Sequence, residues 1–170
     1  FYDDMGSIGF VNMDFARKLE SVGIKCRVFN PFSPGFNMFL NNRDHRKITV
    51  IDGKVGYTGG YNLANEYFNI THPYGMWKDT GVRMEGDAVR SLTVAFLEMW
   101  NAASNAHPDE IDMEQYLQPH PYQAKQNGYI QPYADSPLDG EQVGEEVYIS
   151  MINKAEKYCW FMTPYLIITD

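Results

Sequence analysis

His45-Arg46-Lys47-Ile48-Thr49-Val50-Ile51-Asp52-Gly53-Lys54-Val55-Gly56-Tyr57-Thr58-Gly59-Gly60-Tyr61-Asn62 is the stretch that decides how this 170-residue chain reads. Ile48, Val50 and Ile51 are β-branched, Asp52-Gly53 is a tight-hairpin signal, and residues 55–58 return, so the stretch predicts strand, turn, strand. Side chains two apart on a strand share a face, which sets His45 beside Lys47. An imidazole next to an ammonium makes a poor core and a good anion site. The lysine supplies a point charge for a phosphate, beside a histidine that can act as nucleophile. Gly59 and Gly60 end the returning strand, where glycine lets backbone approach a ligand closely. Asn62 can donate its side-chain amide to a phosphate oxygen. The hairpin returns these groups toward His45 and Lys47.

Outward from this stretch the chain alternates. Residues 12–22 have helical spacing, with Phe15, Leu19 and Val22 on one face and Gly23 as the stop. Residues 24–29 read as a short strand, and Pro31, Pro34 and Gly35 as a loop. Residues 77–84 read as a strand. Residues 87–103 read as a long helix, with Asp87 as cap and Val89, Leu92, Phe96 and Trp100 as an apolar stripe. The polar, Pro-containing residues 104–127 form a connector. A strand at 129–133, an amphipathic helix at 144–157 and a buried strand at 158–163 complete the pattern, with Pro164 ending the last. This alternation predicts an α/β fold: a mixed β-sheet flanked by helices on both faces, the hairpin ruling out an all-parallel sheet.

Hydrophobic content of 44% and charged content of 21% place the chain among globular proteins. Aromatics are plentiful at 15%. A net charge of −8 argues against nucleic acid as partner and gives no general attraction to an anionic membrane. Against that acidic background, Arg43, Arg46 and Lys47 form a local cationic cluster. Cys26 and Cys159 read as two buried, reduced thiols. No Cys and His spacing suggests a metal site, and no apolar run reaches the roughly 18–20 residues that span a bilayer. The opening on Phe1 reads as a piece of a longer protein.

Taken singly, His-x-Lys is a common exposed strand edge and Asp-Gly a common turn. The joint pattern H-x-K-x4-D-x6-G-G-x-N is different, arising by chance less than about once in a thousand chains. It resembles the signature of the phospholipase D superfamily, and more closely that of the bacterial cardiolipin synthases. Asn42-Arg43-Asp44-His45-Arg46-Lys47 resembles their x-R-x-H-R-K stretch, Gly59-Gly60-Tyr61-Asn62 their paired glycines, and Trp77-Lys78-Asp79-Thr80 their W-R-D-T. Ala134-Asp135-Ser136-Pro137 and Thr163-Pro164-Tyr165 resemble the opening of the second half of such enzymes.

The resemblance implies a phospholipase-D-like α/β/α sandwich. Residues 1–127 would form most of a first domain, and residues 128–170 the opening strand, helix and strand of a second. It implies a phosphohistidine mechanism in a phosphatidyltransferase that joins two phosphatidylglycerol molecules at the bacterial cell membrane, with no cofactor, no metal and no nucleic acid. It implies His45 as nucleophile (or, by symmetry, general acid), Lys47, Gly60 and Asn62 as phosphate ligands, and Asp79 as the acid holding the other histidine nitrogen. Asp52 and Gly59 take structural roles, Asp52 by bonding turn amides. A strand-end carboxylate in water is the plain alternative for Asp79.

No second H-x-K-x4-D follows: His72, His107 and His120 each precede a proline. A second catalytic half of the same full-length chain, or a second copy in a homodimer, would have to supply the other histidine; alone, the chain is expected to be inactive. Residues 144–165 are expected to fill the sheet place left by upstream elements, in their own chain or a neighbour's. A hydrolytic phospholipase D or other phosphodiesterase, and a catalytically silent assembly or lipid-docking module, are the alternatives.

Overall fold

The computed structural model describes residues 1–9, 11, 14–32, 42–103, 111–125, 127–135 and 140–163. The chain divides into two compact units, Phe1–Pro132 and Tyr133–Asp170.

The first unit begins with β1 (Tyr2–Asp3), α1 (Asp4–Ser7), α2 (Asp14–Ser21) and β2 (Val28–Phe29). Then come β3 (Ile48–Ile51), β4 (Val55–Gly59), β5 (Gly81–Glu85), α3 (Ala88–Ala102) and a 3-10 turn, Met113–Tyr116. The expected helix at 12–22 is present as α2; its first two positions lie outside the described residues. Gly23 ends it with φ +84°, and the Gly23 and Ile24 amides donate back to Glu20 and Leu19, a Schellman closure. The strand expected at 24–29 shrinks to β2, paired in parallel with β1 over two residues.

The hairpin forms as the sequence predicts. Asp52 (φ 53°) and Gly53 (φ 66°) both occupy the left-handed region, the geometry of a two-residue I′ turn, and the Lys54 amide donates to Ile51 at 2.9 Å. The Asp52 side chain accepts no hydrogen bond among the described residues. Its contribution is backbone conformation, not the expected bonding of turn amides. β4 also pairs antiparallel with β5, giving the order β3-β4-β5.

One face of this sheet presents Ile48, Val50, Gly56 and Met84 to α3, where Met84, Val89 and Leu92 form the core cluster. Gly56 is required there, because a methyl group on it would come within 2.9 Å of Leu92 Cδ1. Of the stripe expected on α3, Val89, Leu92 and Trp100 are buried and Phe96 is half-buried; Leu97, outside the expected stripe, is buried as well. Asp87 makes no side-chain cap bond, a correction to the cap expected of it. Arg27 is buried over the Trp100 ring, 4.6 Å from its centroid, and donates to the Trp100 carbonyl oxygen.

The molecule is mixed α/β. Among the described residues its strands lie in two small sheets, not in one mixed sheet, because the pairs β1-β2 and β3-β4-β5 share no hydrogen-bonded neighbour. Within the second unit α4 (Val143–Lys154) forms where a helix is expected, yet none of its residues is buried. The strands expected at 129–133 and 158–163 do not form, and Tyr158, Trp160 and Met162 are exposed. Pro164 and the residues beyond it lie outside the described residues. Both cysteines are free, but only Cys26 is buried; Cys159 is exposed, against the expectation for it.

Candidate active site

β3 starts at Ile48, so His45 and Lys47 lie on the chain leading into the strand rather than on the strand itself. Continuing the antiparallel register from Ile48↔Thr58 sets Lys47 opposite Gly59, which pairs in turn with Gly81. That row shows why Gly59 is a glycine. A methyl group there would come within 2.5 Å of the Thr80 carbonyl oxygen and 2.8 Å of the Tyr61 ring, which also covers Gly81. The space is taken by protein, not left for a ligand.

Gly60 faces differently. A methyl group on it would come within 2.7 Å of Asp79 Oδ1, so its missing side chain makes room for that carboxylate. The carboxylate is held by its own strand entry: Oδ2 accepts from Trp77 Nε1 at 3.1 Å, and Oδ1 from the Thr80 amide at 3.0 Å. Trp77 is fixed in turn by Asn69, which bonds its main-chain N–H at 2.7 Å and its carbonyl at 2.8 Å, and by the Tyr67 ring edge-on. The hydrogen bonds of Asp79 among the described residues go to Trp77 and Thr80, not to the His45 imidazole.

Lys47 is half-buried, and its ammonium turns back to donate to the His45 carbonyl oxygen at 2.6 Å. Burial pushes that ammonium below its ordinary value of 10.5, while the charges of Asp44 and Asp79 oppose the push. Lys47, Asp79 and Gly60 thus gather at one end of the sheet. His45, whose carbonyl takes the Lys47 ammonium, is exposed, and Asn62, half-buried, follows two residues after Gly60. Neither the His45 imidazole nor the Asn62 amide is spent on a hydrogen bond among the described residues. Asp52 sits at the opposite end of the hairpin from this group.

The cationic cluster resolves into unlike members. Arg43 pairs with Asp3 at 3.3 Å and Arg46 with Asp44 at 2.9 Å, whereas Lys47 donates to a neutral carbonyl. The sequence reading missed Asp3, Asp44, Tyr61 and the bonding role of Trp77. Of these Asp3 and Asp44 left local signals, each an Asp two or three residues before an amide that donates to its carboxylate. Among the described residues no group of acids, histidines and cysteines could hold a metal ion, and no helix is long and apolar enough to cross a membrane.

The chain is 46% identical over 167 residues to an uncharacterized protein of Streptococcus mutans. It is 37% identical over 167 residues to a probable cardiolipin synthase of Bacillus subtilis, and likewise to a cardiolipin synthase of Listeria innocua. Each comparison covers 98% of this chain but only 35%, 32% and 34% of the respective relative, so the chain spans about a third of the length of the curated relatives it matches. No family model matches the chain. No solved structure matches it either. Identity of 37% over nearly the whole of this chain identifies it as a relative of the bacterial cardiolipin synthases, matching about a third of their length.

Proposed function

We propose that this chain carries one half of a phosphatidyl-transfer centre, in which His45 attacks the phosphorus of phosphatidylglycerol. The observation that supports it is the gathering of Lys47, Asp79 and Gly60 at one sheet end, with the Lys47 ammonium on the main-chain carbonyl of an exposed His45. Lys47 and the Asn62 amide offer donors to phosphate oxygens, in the way preorganised donors stabilise charge in flight. A histidine nitrogen forms the P–N bond as the P–O bond to glycerol breaks. The departing oxygen takes a proton from a second histidine. A hydroxyl of a second phosphatidylglycerol then attacks phosphorus, gives its proton to that histidine, and breaks the P–N bond. Asp79 orients an imidazole in this scheme, since each of its oxygens has a further lone pair beyond the bonds to Trp77 and Thr80.

The second histidine comes from a second catalytic half, so this chain by itself does not turn over. In this reading the two small sheets are parts of a phospholipase-D-like sandwich, and the whole protein works at the bacterial cell membrane.

The test uses the protein that carries this segment in its native reading frame, produced in bacteria that lack cardiolipin. Cardiolipin should appear, and His45→Asn should lower its formation at least about a thousandfold. Free phosphatidic acid in place of cardiolipin would assign the centre to hydrolysis. No lipid change with His45 intact would sink the enzymatic reading in favour of a silent module.

A further inference from the structure

We propose that Asp44 is a positioning residue for His45, with Asp3 as its anchor; the inference rests on the reading of His45 as the phosphorus-attacking group. Asp44 Oδ1 accepts the main-chain amide of Arg46 at 3.0 Å, closing a turn whose middle residue is His45. Such a side-chain turn substitutes for a backbone turn. It is needed here because the β-ladder that would otherwise fix the backbone begins only at Ile48.

The same carboxylate grips the Arg46 guanidinium through two bonds, Nε to Oδ1 at 2.9 Å and Nη2 to Oδ2 at 3.0 Å. That fork fixes direction as well as distance. Asp44 is itself held from behind. Its amide donates to Asp3 Oδ2 at 3.0 Å, and Asp3 Oδ1 takes the Gly6 amide at 3.0 Å and Arg43 Nη1 at 3.3 Å. The side chains of Asp44 and Asp3 are only 10% and 8% exposed, while the Arg46 and Arg43 side chains that pair with them are 31% and 22% exposed.

The consequence is a histidine whose two neighbours have fixed amides while its own imidazole stays exposed. A second consequence is electrostatic. Within this cluster and among the described residues, Arg43 and Arg46 each pair with a carboxylate and Lys47 does not, so Lys47 is the member free to face a phosphate.

A catalytic group misplaced by about 1 Å loses on the order of a hundredfold in rate. In the full-length protein, Asp44→Ala should therefore lower kcat for cardiolipin formation by about a hundredfold, with KM changed by less than about threefold. Asp44→Asn keeps an oxygen for the Arg46 amide and should recover kcat to within about tenfold of the parent protein. An Asp44→Ala kcat within about threefold of the parent, or no rescue by asparagine, would overturn the inference.

Nuclear magnetic resonance separates this from failure of the functional reading. Asp44→Ala should shift the His45 ring and Arg46 amide signals while those of Met84, Val89 and Leu92 stay in place. If the protein makes no cardiolipin, the functional reading falls and the spectra still decide: unmoved His45 and Arg46 signals overturn the positioning role. If Asp44→Ala unfolds the core, Arg46→Ala takes its place. It should cost about tenfold in kcat at constant KM, and an unchanged kcat counts against the proposal.

Discussion

Helix α3 buries Val89, Leu92, Leu97 and Trp100, whereas α4, which carries Val147, Ile149, Met151 and Ile152, buries none of its residues. Both helices form all the same. A helix satisfies its own backbone hydrogen bonds, so its ladder needs no neighbouring segment. A strand cannot, because its N–H and C=O groups need a neighbour. Residues 48–59 have that neighbour in the hairpin and form a ladder; residues 158–163, more apolar, form none. Apolar content therefore proposes a core, and only a facing surface makes one.

The sharpest way to break this comparison is to truncate one side chain in each region. Leu92→Ala should destabilise the protein by about 3 kcal/mol through lost burial and a residual cavity. Met151→Ala, at a side chain that is 44% exposed, should change stability by less than about 0.5 kcal/mol. Denaturant unfolding of both variants checks this, and equal losses would erase the distinction between the regions.

Gly56→Ala probes how tightly α3 rests on β4. The added methyl meets Leu92 Cδ1 and Met84, and overpacking of this kind should cost about 2 kcal/mol by the same unfolding measurement. A neutral or stabilised variant would mean that α3 has slack against the sheet.

The smallest effect is expected in acid. Burial pushes the Asp44 carboxyl upward, but the hydrogen bonds from Arg46 and the charges of Arg46 and Lys47 outweigh it and hold the group below its ordinary 3.8. A depressed carboxyl stabilises the fold above its unfolded pKa and loses that contribution as pH falls through the folded value. The Arg46 amide signal should therefore hold steady near neutrality and move only below about pH 4. Movement at a higher pH would show that the fork with Arg46 is absent.

Much of the hairpin was legible because its cause is local. Asp52-Gly53 can adopt paired left-handed conformations, and the β-branched residues around it suit a pleated surface. Gly23 was legible as a helix stop for the same reason. The strands at 129–133 and 158–163 were misread because an apolar run cannot tell whether a partner edge exists. The glycines at the site were read as room for a ligand, yet Gly59 makes room for Thr80 and Tyr61, and Gly60 for Asp79. Thr80 and Asp79 are about twenty residues away in sequence, so the glycine pair itself carries no trace of them.

From the sequence alone came the His45, Lys47, Gly59, Gly60 and Asn62 pattern, the turn that folds it back, and the kinship with cardiolipin synthases. These follow from residue type and spacing, which need no third dimension. Tertiary structure alone decided which cations are already paired, that Asp79 lies against Gly60, and that Asp3 and Asp44 brace the backbone around His45. Hydrogen bonds and ion pairs act over a few ångströms of space, and only the fold sets which parts of the chain come that close.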